Sequence, residues 1–245
     1  MTGSTTTTTH PVYACEQFAV HDDVLPAAEF DLLWRHLQSV RYKQVDPGRP
    51  GSPWLVENRL PLAGPGLTLP SHEYGSERAG AASPLHRLTA RITALAAEAR
   101  PLLGTPGTDW RTCSATPYLY GAGAGLAWHT DYAYAGTYIF YAHPRWEAHW
   151  GGELIVADAS CRIPYCPPGQ IDPDSTAERL ASPLDRGAMS RHLLGPGIGR
   201  TVLPKPNRLV LLQGGHPHRI TRVDPAAGDH MRASVAGFFS TEAAL

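Results

Sequence analysis

The chain lacks any long run of apolar residues and any excess of charge of one sign. No stretch approaches the roughly 20 apolar residues that a membrane-spanning helix needs, and the N-terminal sequence MTGSTTTTTH lacks the basic and apolar regions of a signal peptide. Lys and Arg number 21 against 22 Asp and Glu, which offers no field for attracting nucleic acid or an anionic membrane. We therefore expect a cytoplasmic protein with neither partner.

Cysteine is scarce as well, whereas glycine and proline are abundant. The four cysteines, Cys15, Cys113, Cys161 and Cys166, are too few and too irregularly spaced for a disulfide framework or a zinc ribbon, so we expect them to stay reduced. The 24 Gly and 23 Pro interrupt helices and mark turns. With 42% hydrophobic residues over 245 positions, the chain can bury one substantial core.

Periodicity divides the chain into a tail, two helices and a strand-rich region. The threonine run predicts a disordered tail over residues 1–12, followed by one domain over 13–245. Apolar residues at helical spacing predict a helix in AAEFDLLWRHLQSV after Pro26, and a second one from Pro84 to the stop at Pro101, with Ser83 as its N-cap. Residues 44–82 are predicted to form short strands and loops.

The second half of the chain contains short β-rich runs separated by Gly and Pro turns, which is typical of a sandwich or barrel. The predicted strands are Trp110–Tyr120, Thr137–Tyr141, Glu153–Ala157, Thr201–Leu203, Arg208–Leu212, His218–Val223 and Met231–Phe239. Residues 158–200 interrupt this series with a long segment rich in Pro and Gly, which is either a lid or a poorly ordered insertion.

The first candidate metal ligands are His129 and Asp131, two positions apart. Side chains with this spacing in extended chain point to one face. A histidine from a facing strand would complete a facial triad of two His and one carboxylate, which leaves positions on iron(II) for a 2-oxo acid and O2. Both His216 and His218 compete for this role. We favour His218 because it directly precedes a predicted strand, whereas His216 follows a Gly-Gly turn.

At this point the sequence resembles the Fe(II)/2-oxoglutarate oxygenase superfamily, in particular the branch that includes prolyl hydroxylases. The resemblance rests on residues in the family's order and approximate spacing: Tyr120-Gly121, His129-Thr130-Asp131, Ile139-Phe140-Tyr141 with Trp146, Gly151-Gly152-Glu153-Leu154, Pro204 to Leu212, and Pro217-His218 with Arg232. It implies a mainly β fold with flanking helices, a double-stranded β-helix or jelly-roll barrel with its core over about residues 110–240. His129, Asp131 and His218 would then be catalytic metal ligands.

The resemblance also implies a pocket for the distal carboxylate of 2-oxoglutarate. Arginine suits this task because its planar fork pairs with a carboxylate, and the superfamily uses an Arg-x-Ser pair that matches Arg232 and Ser234. Tyr120 and Tyr141 match positions where the family places tyrosines near the co-substrate. Arg219 and Arg222 are the main rivals of Arg232.

The resemblance implies a dioxygenase that uses Fe(II), 2-oxoglutarate and O2 and releases succinate and CO2. Because the family's halogenases lack the metal-binding carboxylate, Asp131 favours hydroxylation over chlorination. We expect a small-molecule substrate, such as an amino acid or an intermediate of natural-product biosynthesis. The alternatives are a prolyl or other protein side-chain hydroxylase and, in another class, a non-catalytic metal-binding barrel that serves as a binding module. Candidate substrate contacts near the metal motif are Trp128, Tyr132, Tyr134 and Arg145.

Overall fold

The computed structural model describes residues 10–48, 53–54, 59–72, 83–164, 180 and 187–241. Most of the predicted tail and the centre of the predicted 158–200 segment lie outside these residues. Among the described helices, none combines the length and the apolar character that crossing a bilayer requires.

The described residues contain four α-helices and 13 strands. The helices are α1 (Ala27–Ser39), α2 (Pro84–Glu98), α3 (Arg100–Leu103) and α4 (Ala188–Leu194). The strands are β1 (Tyr13–Ala14), β2 (Phe18–His21), β3 (Lys43–Gln44), β4 (Leu62–Ala63), β5 (Leu67–Pro70), β6 (Thr112–Tyr120), β7 (Leu126–His129), β8 (Gly136–Tyr141), β9 (Leu154–Ala157), β10 (Gly199–Val202), β11 (Leu209–Gln213), β12 (His218–Ile220) and β13 (Arg232–Ser240).

The two long helices form where apolar periodicity predicts them. In α1, the stripe buries Leu33 and Leu37. In α2, the hydroxyl of Ser83 accepts a hydrogen bond from the backbone N–H of His86 at 3.2 Å, which satisfies one of the amide donors left free at a helix start. Both helix predictions are therefore confirmed, and the α2 cap is the one that the sequence indicates.

The strands form two antiparallel sheets, a larger one of nine strands and a smaller one of four. The larger sheet has the order β1-β2-β11-β8-β13-β6-β4-β3, with β5 also paired to β6, and the smaller one has the order β10-β9-β12-β7. No strand pairing among the described residues joins the two sheets, so they do not close into a barrel. The expected mainly β, double-stranded β-helix architecture is confirmed, but as two separate sheets.

Strand alternation gives the larger sheet two buried faces. In β8, Tyr138 and Phe140 belong to the apolar cluster that includes the helices, whereas Ile139 and Tyr141 belong to the cluster shared with the smaller sheet. Successive side chains of a strand point to opposite faces, so every residue of β8 is buried. The helices therefore cover one face of the larger sheet, and the smaller sheet covers the other.

Some elements differ from the sequence prediction. The strand predicted over His218–Val223 ends at Ile220, and the one predicted at Thr201–Leu203 spans Gly199–Val202. Strand β2 was not predicted, because FAVH is a short apolar run without alternation, and its pairing with β11 supplies the context that makes it a strand. Helix α4 lies within the predicted 158–200 segment and was also not predicted.

Candidate metal centre and co-substrate pocket

Pairing between two strands of the smaller sheet brings two histidines together. Strand β7 ends at His129, β12 begins at His218, and these two residues are partners in the antiparallel ladder. Their ring centroids lie 4.2 Å apart. Asp131 follows β7 by two residues, and its carboxylate oxygens lie 3.9 Å from Nε2 of His129 and 3.5 Å from Nε2 of His218. One possible ligand atom from each residue lies within 4.8 Å of the others.

The other nitrogen of each imidazole is held by a backbone carbonyl. Nδ1 of His129 lies 2.9 Å from the carbonyl oxygen of Ala127, and Nδ1 of His218 lies 2.9 Å from that of His216. Since a carbonyl only accepts, each Nδ1 must carry the proton and donate it. Nε2 of both rings is then left with its lone pair, which is the arrangement expected for a histidine that binds a metal.

Burial favours the neutral, ligating form of His218. Its pKa is lowered to about 4, chiefly by desolvation and also by His129, while Asp131 and the bond to His216 act in the opposite direction. Two neutral imidazoles and one carboxylate form a donor set that suits a non-haem iron(II) ion and leaves positions open on it. The residues present therefore fit a bound iron.

The rival histidine lies outside this group. His216 is buried, and its ring is held between two glutamines, with Nδ1 3.3 Å from Nε2 of Gln17 and Nε2 3.3 Å from Oε1 of Gln213. The structure thus brings His218, and not His216, together with His129 and Asp131.

Arg232, the first residue of β13, is completely buried between aromatic rings. Its guanidinium carbon lies 5.0 Å from the ring centre of Tyr120 and 4.9 Å from that of Tyr141, and Nη1 donates to the hydroxyl of Ser234 at 3.3 Å. The register explains this cluster, because Arg232 is paired with Tyr120, and Ser234 with Tyr141. The structure therefore brings together all four predicted co-substrate residues.

Two guanidinium nitrogens of Arg232, Nε and Nη2, are buried and form no hydrogen bond with any described residue. None of the carboxylates in the described part of the chain forms an ion pair with it. A fully buried cation without an anion is costly. The group formed by Arg232, Ser234, Tyr120 and Tyr141, called here the arginine cradle, therefore fits a carboxylate supplied by a ligand. The rivals are placed differently, since Arg219 lies over the Trp128 ring at 6.0 Å and Arg222 is exposed.

The tyrosines beside Arg232 keep their protons. Burial raises the pKa of Tyr120 and Tyr141, and the nearby Arg232 only partly opposes this effect. A protonated hydroxyl can donate a hydrogen bond to a carboxylate. Gly152 completes the cradle, because a Cβ built there would lie 2.6 Å from Cδ of Arg232.

One cavity of about 250 Å³ extends from the metal-ligand group to Tyr120 and Ser234, the two residues of its wall that contact Arg232. It lies between the sheets and is lined by all three candidate ligands together with Tyr120 and Ser234. Three aromatic lining residues were missed by sequence analysis: Trp54, Tyr118 and Phe238. Phe238 could have been predicted from the alternation of Ser234, Ala236 and Phe238 along β13, whereas the sequence around Trp54 shows no such periodicity.

The four predicted substrate contacts do not line this cavity. Trp128 contacts Arg219 on the opposite face of β7, and Arg145 is exposed and paired with Glu147 at 2.8 Å. Tyr132 is half-buried in the loop after Asp131. Tyr134 stacks on Phe238 with ring centres 4.2 Å apart, so it reaches the cavity only through that ring.

Comparison with known proteins places these features in a family context. The family model described as the 2OG-Fe(II) oxygenase superfamily matches residues 115–240, just over half of the chain. This segment contains every candidate metal and co-substrate residue. No curated protein matches the chain significantly.

Solved structures resemble the whole fold. A prolyl-4-hydroxylase from Pseudomonas putida has a TM-score of 0.56 at 16% identity over 91% of this chain and 92% of that chain. A prolyl hydroxylase from Trichoplax adhaerens, solved with a hypoxia inducible factor peptide fragment, has a TM-score of 0.55 at 15% identity over 92% and 84%. A 2OG-Fe(II) oxygenase family oxidoreductase from Burkholderia pseudomallei has a TM-score of 0.51 at 12% identity over 92% and 86%. At these identities the likeness is one of fold.

Proposed function

Because the chain belongs to the 2OG-Fe(II) oxygenase superfamily, we propose that it hydroxylates a C–H bond of a small organic molecule. The balanced reaction converts substrate, O2 and 2-oxoglutarate into hydroxylated substrate, succinate and CO2. The observation that carries this proposal is a cavity lined by a two-histidine, one-carboxylate group and by Tyr120 and Ser234. Both of these residues contact Arg232, a buried arginine that forms no ion pair with a carboxylate of the described residues.

In this proposal, His129, Asp131 and His218 hold iron(II). Nδ1 of each histidine donates to a backbone carbonyl, which would keep Nε2 of each ring directed at the metal. When bound, iron supplies the oxidative chemistry that couples decarboxylation of 2-oxoglutarate to oxygen insertion, since three protein ligands leave positions for the 2-oxo acid and O2.

Arg232 and Ser234 would bind the distal carboxylate of 2-oxoglutarate, with Tyr120 and Tyr141 enclosing it. Nε and Nη2 of Arg232 are the available donors, since they have no hydrogen-bond partner in the part of the chain that the structure describes. Burial excludes water from this charge pair and so strengthens it. The co-substrate would thereby be held at both ends, which orients its 2-oxo acid group towards the candidate iron ligands.

The size of the cavity favours a substrate whose reacting part is compact. Its volume of about 250 Å³ lies below the range of about 300–1,000 Å³ that is typical for ligand pockets, and the co-substrate must share this space. The walls beside the candidate ligands include Trp54, Tyr118 and Phe238. These aromatic surfaces suit an uncharged part of a substrate.

The first experiment is an anaerobic titration of metal-free protein with iron(II) and then 2-oxoglutarate. The proposal expects a visible metal-to-ligand charge-transfer band after the second addition. Iron binding without this band would instead favour the metal-binding module.

The second experiment measures succinate formation with a panel of small molecules and with proline-containing peptides. Stimulation by small molecules supports the proposed substrate class. Stimulation by peptides alone would replace it with the protein side-chain hydroxylase, an alternative that the likeness of fold to two prolyl hydroxylases makes worth testing.

A further inference from the structure

His216 does not reach the candidate metal site with its side chain, yet its backbone forms part of it. The carbonyl oxygen of His216 accepts the hydrogen bond from Nδ1 of His218 at 2.9 Å. That bond sets both the tautomer and the angle of the His218 ring. Anything that holds the His216 carbonyl in place therefore also orients Nε2 of His218.

The ring of His216 has a complete set of hydrogen bonds with one consistent assignment. Nε2 of Gln17 lies 2.7 Å from the carbonyl oxygen of Ala157, which only accepts, so this atom is the amide nitrogen. Its second hydrogen points to Nδ1 of His216 at 3.3 Å, which must accept. Nε2 of His216 then carries the proton and donates it to Oε1 of Gln213 at 3.3 Å.

These contacts tie the turn before β12 to three other places in the fold. Gln17 immediately precedes β2, Gln213 ends β11, and Ala157 ends β9. The backbone adds two links, from the N–H of Gln213 to the Gln17 carbonyl at 2.9 Å and from the N–H of Ala157 to the Pro217 carbonyl at 2.9 Å. Because Gln17 and His216 are each only 2% exposed, water cannot easily replace a lost partner.

We propose that His216 is a positioning residue: its side chain, held by Gln17 and Gln213, fixes the backbone carbonyl that orients His218 towards the metal. The inference rests on the proposed iron site, and it assigns His216 a role in metal binding without making it a ligand. Loss of such an outer-shell partner typically lowers metal affinity by about 10- to 100-fold.

The test is cobalt(II) binding to the full chain, followed by the visible absorption of the metal. His216→Phe keeps a ring of similar shape and removes both side-chain hydrogen bonds. We expect its cobalt affinity to fall by about tenfold, the lower end of this range, because the carbonyl remains but is held less firmly. The visible spectrum should also change, in protein whose circular dichroism is that of the wild type. Gln17→Leu removes one of these two hydrogen bonds while retaining the histidine, and should act in the same direction with a smaller effect. It also carries the test if His216→Phe does not fold.

His143→Phe is the matched control. His143 is a second buried histidine, with both ring nitrogens 3.0 Å from backbone carbonyls, those of Ala233 and Pro204. The His143→Phe variant should be less stable than the wild type but should have the same cobalt affinity and visible spectrum. If folded His216→Phe, or Gln17→Leu in its place, binds cobalt like His143→Phe, the role of His216 is only structural and the inference is wrong.

Two other outcomes are separable from this one. Complete loss of cobalt binding in His216→Phe, with binding retained in His218→Ala, would make His216 the ligand itself and overturn the inference. Wild-type protein that binds no cobalt would contradict the proposed metal site, and the role of His216 with it.

Discussion

Arg232 carries a charge in an environment that disfavours charged groups. It is completely buried, lies between two tyrosine rings, and has two nitrogens without a hydrogen bond. Ring faces attract a cation but do not neutralise its charge. The residue therefore stabilises the protein less than its contacts suggest, and an anionic ligand should gain unusually strong binding there.

The first prediction concerns the charge of Arg232. Arg232→Ala should raise the KM for 2-oxoglutarate by about 100-fold or more, because losing one partner of a buried charge pair costs about 3–5 kcal/mol and tenfold in affinity corresponds to about 1.4 kcal/mol. Steady-state succinate formation at varied 2-oxoglutarate measures this effect. Arg35→Ala is the control, since Arg35 is an exposed arginine of α1. An unchanged KM in Arg232→Ala would refute the pocket assignment.

The second prediction concerns Gly152, which has a φ of +74° and a Cβ position 2.6 Å from Cδ of Arg232. Gly152→Ala should displace the arginine and weaken 2-oxoglutarate binding, measured by titration of the charge-transfer band. Gly107→Ala is a close control, because Gly107 has a similar φ of +83° but no heavy atom within 4 Å of its Cβ position.

Both glycine variants carry the backbone cost of a left-handed alanine, which is about 1 kcal/mol. Only Gly152→Ala should change the co-substrate affinity. Equal affinities in the two variants would show that the close approach of Gly152 to Arg232 has no functional consequence.

At the scale of elements, the pairing of β7 with β12 assembles the candidate metal site. Neither strand contains the whole group, and the ladder partners His129 and His218 meet only because the strands are antiparallel neighbours. The backbone contacts that orient each ring come from the same short segments. Loss of register in this pair would therefore remove the ligand geometry and the ring orientation together.

The third prediction concerns the start of α2. Ser83→Ala removes the hydrogen bond to the N–H of His86 and should lower the free energy of unfolding by about 1 kcal/mol. Denaturant titration measures this change. Ser83→Asp retains a capping oxygen and should preserve stability. Because α2 packs on the face of the larger sheet away from the cavity, both variants should keep wild-type turnover.

Local sequence patterns predicted the elements whose signals are internal to them. The stripe of α2 with its Ser83 cap and the strand runs of β6, β8, β11 and β13 were identified in this way. Strand β2 was not, because its four residues become a strand only through pairing with the distant β11. Short apolar runs do not specify their own partners.

In the candidate site, too, some features could be predicted from local sequence patterns and others depend on contacts between distant residues. The spacing of His129 and Asp131 and the order Arg232, Ser234 were readable, because strand periodicity relates such residues to one face. The sequence favoured His218 over His216 because a predicted strand follows it, and the register of β12 against β7 places His218 beside His129. The rings of Trp54 and Tyr118 lie 5.7 Å apart between their centroids, and no periodicity in the sequence encodes that contact.

At the scale of the whole molecule, the proposed ligands connect the layers of the fold. His129 and His218 belong to the smaller sheet, and Arg232 and Ser234 to the larger one, with the cavity between them. A metal and 2-oxoglutarate bound together would bridge both sheets. Their binding energy then adds to the stability of the folded state, because the unfolded chain has no assembled site.

The fourth prediction follows from this linkage. Cobalt(II) and 2-oxoglutarate at about 100 times their dissociation constants should each raise the free energy of unfolding by about 2.7 kcal/mol. Differential scanning calorimetry should show an increase in Tm on each addition. Asp131→Ala should lose the metal-dependent increase, whereas Asp46→Ala, a substitution of an exposed residue that does not line the cavity, should retain it. A wild-type Tm unchanged by either ligand would contradict the bridging arrangement.

The last prediction concerns the pH dependence of the metal-free protein. Burial is the largest cause that lowers the pKa of His216 and His218 to about 4, from an ordinary value of 6.5. The folded state therefore holds these rings neutral while the unfolded chain protonates them, so stability is present above about pH 6.5 and falls as the pH decreases towards 4, by up to about 1.4 kcal/mol per pH unit for each ring. The pKa of Asp22 is lowered from 3.8 by its bonds to Arg208 and Lys205, against the effect of burial, so its contribution is lost only at still lower pH. Urea denaturation between pH 7 and 4 should show this slope. His216→Phe should reduce the slope by the share of one ring, because the hydrogen bonds of His216 fit a neutral imidazole. An equal slope in that variant would show that burial does not hold the His216 ring neutral.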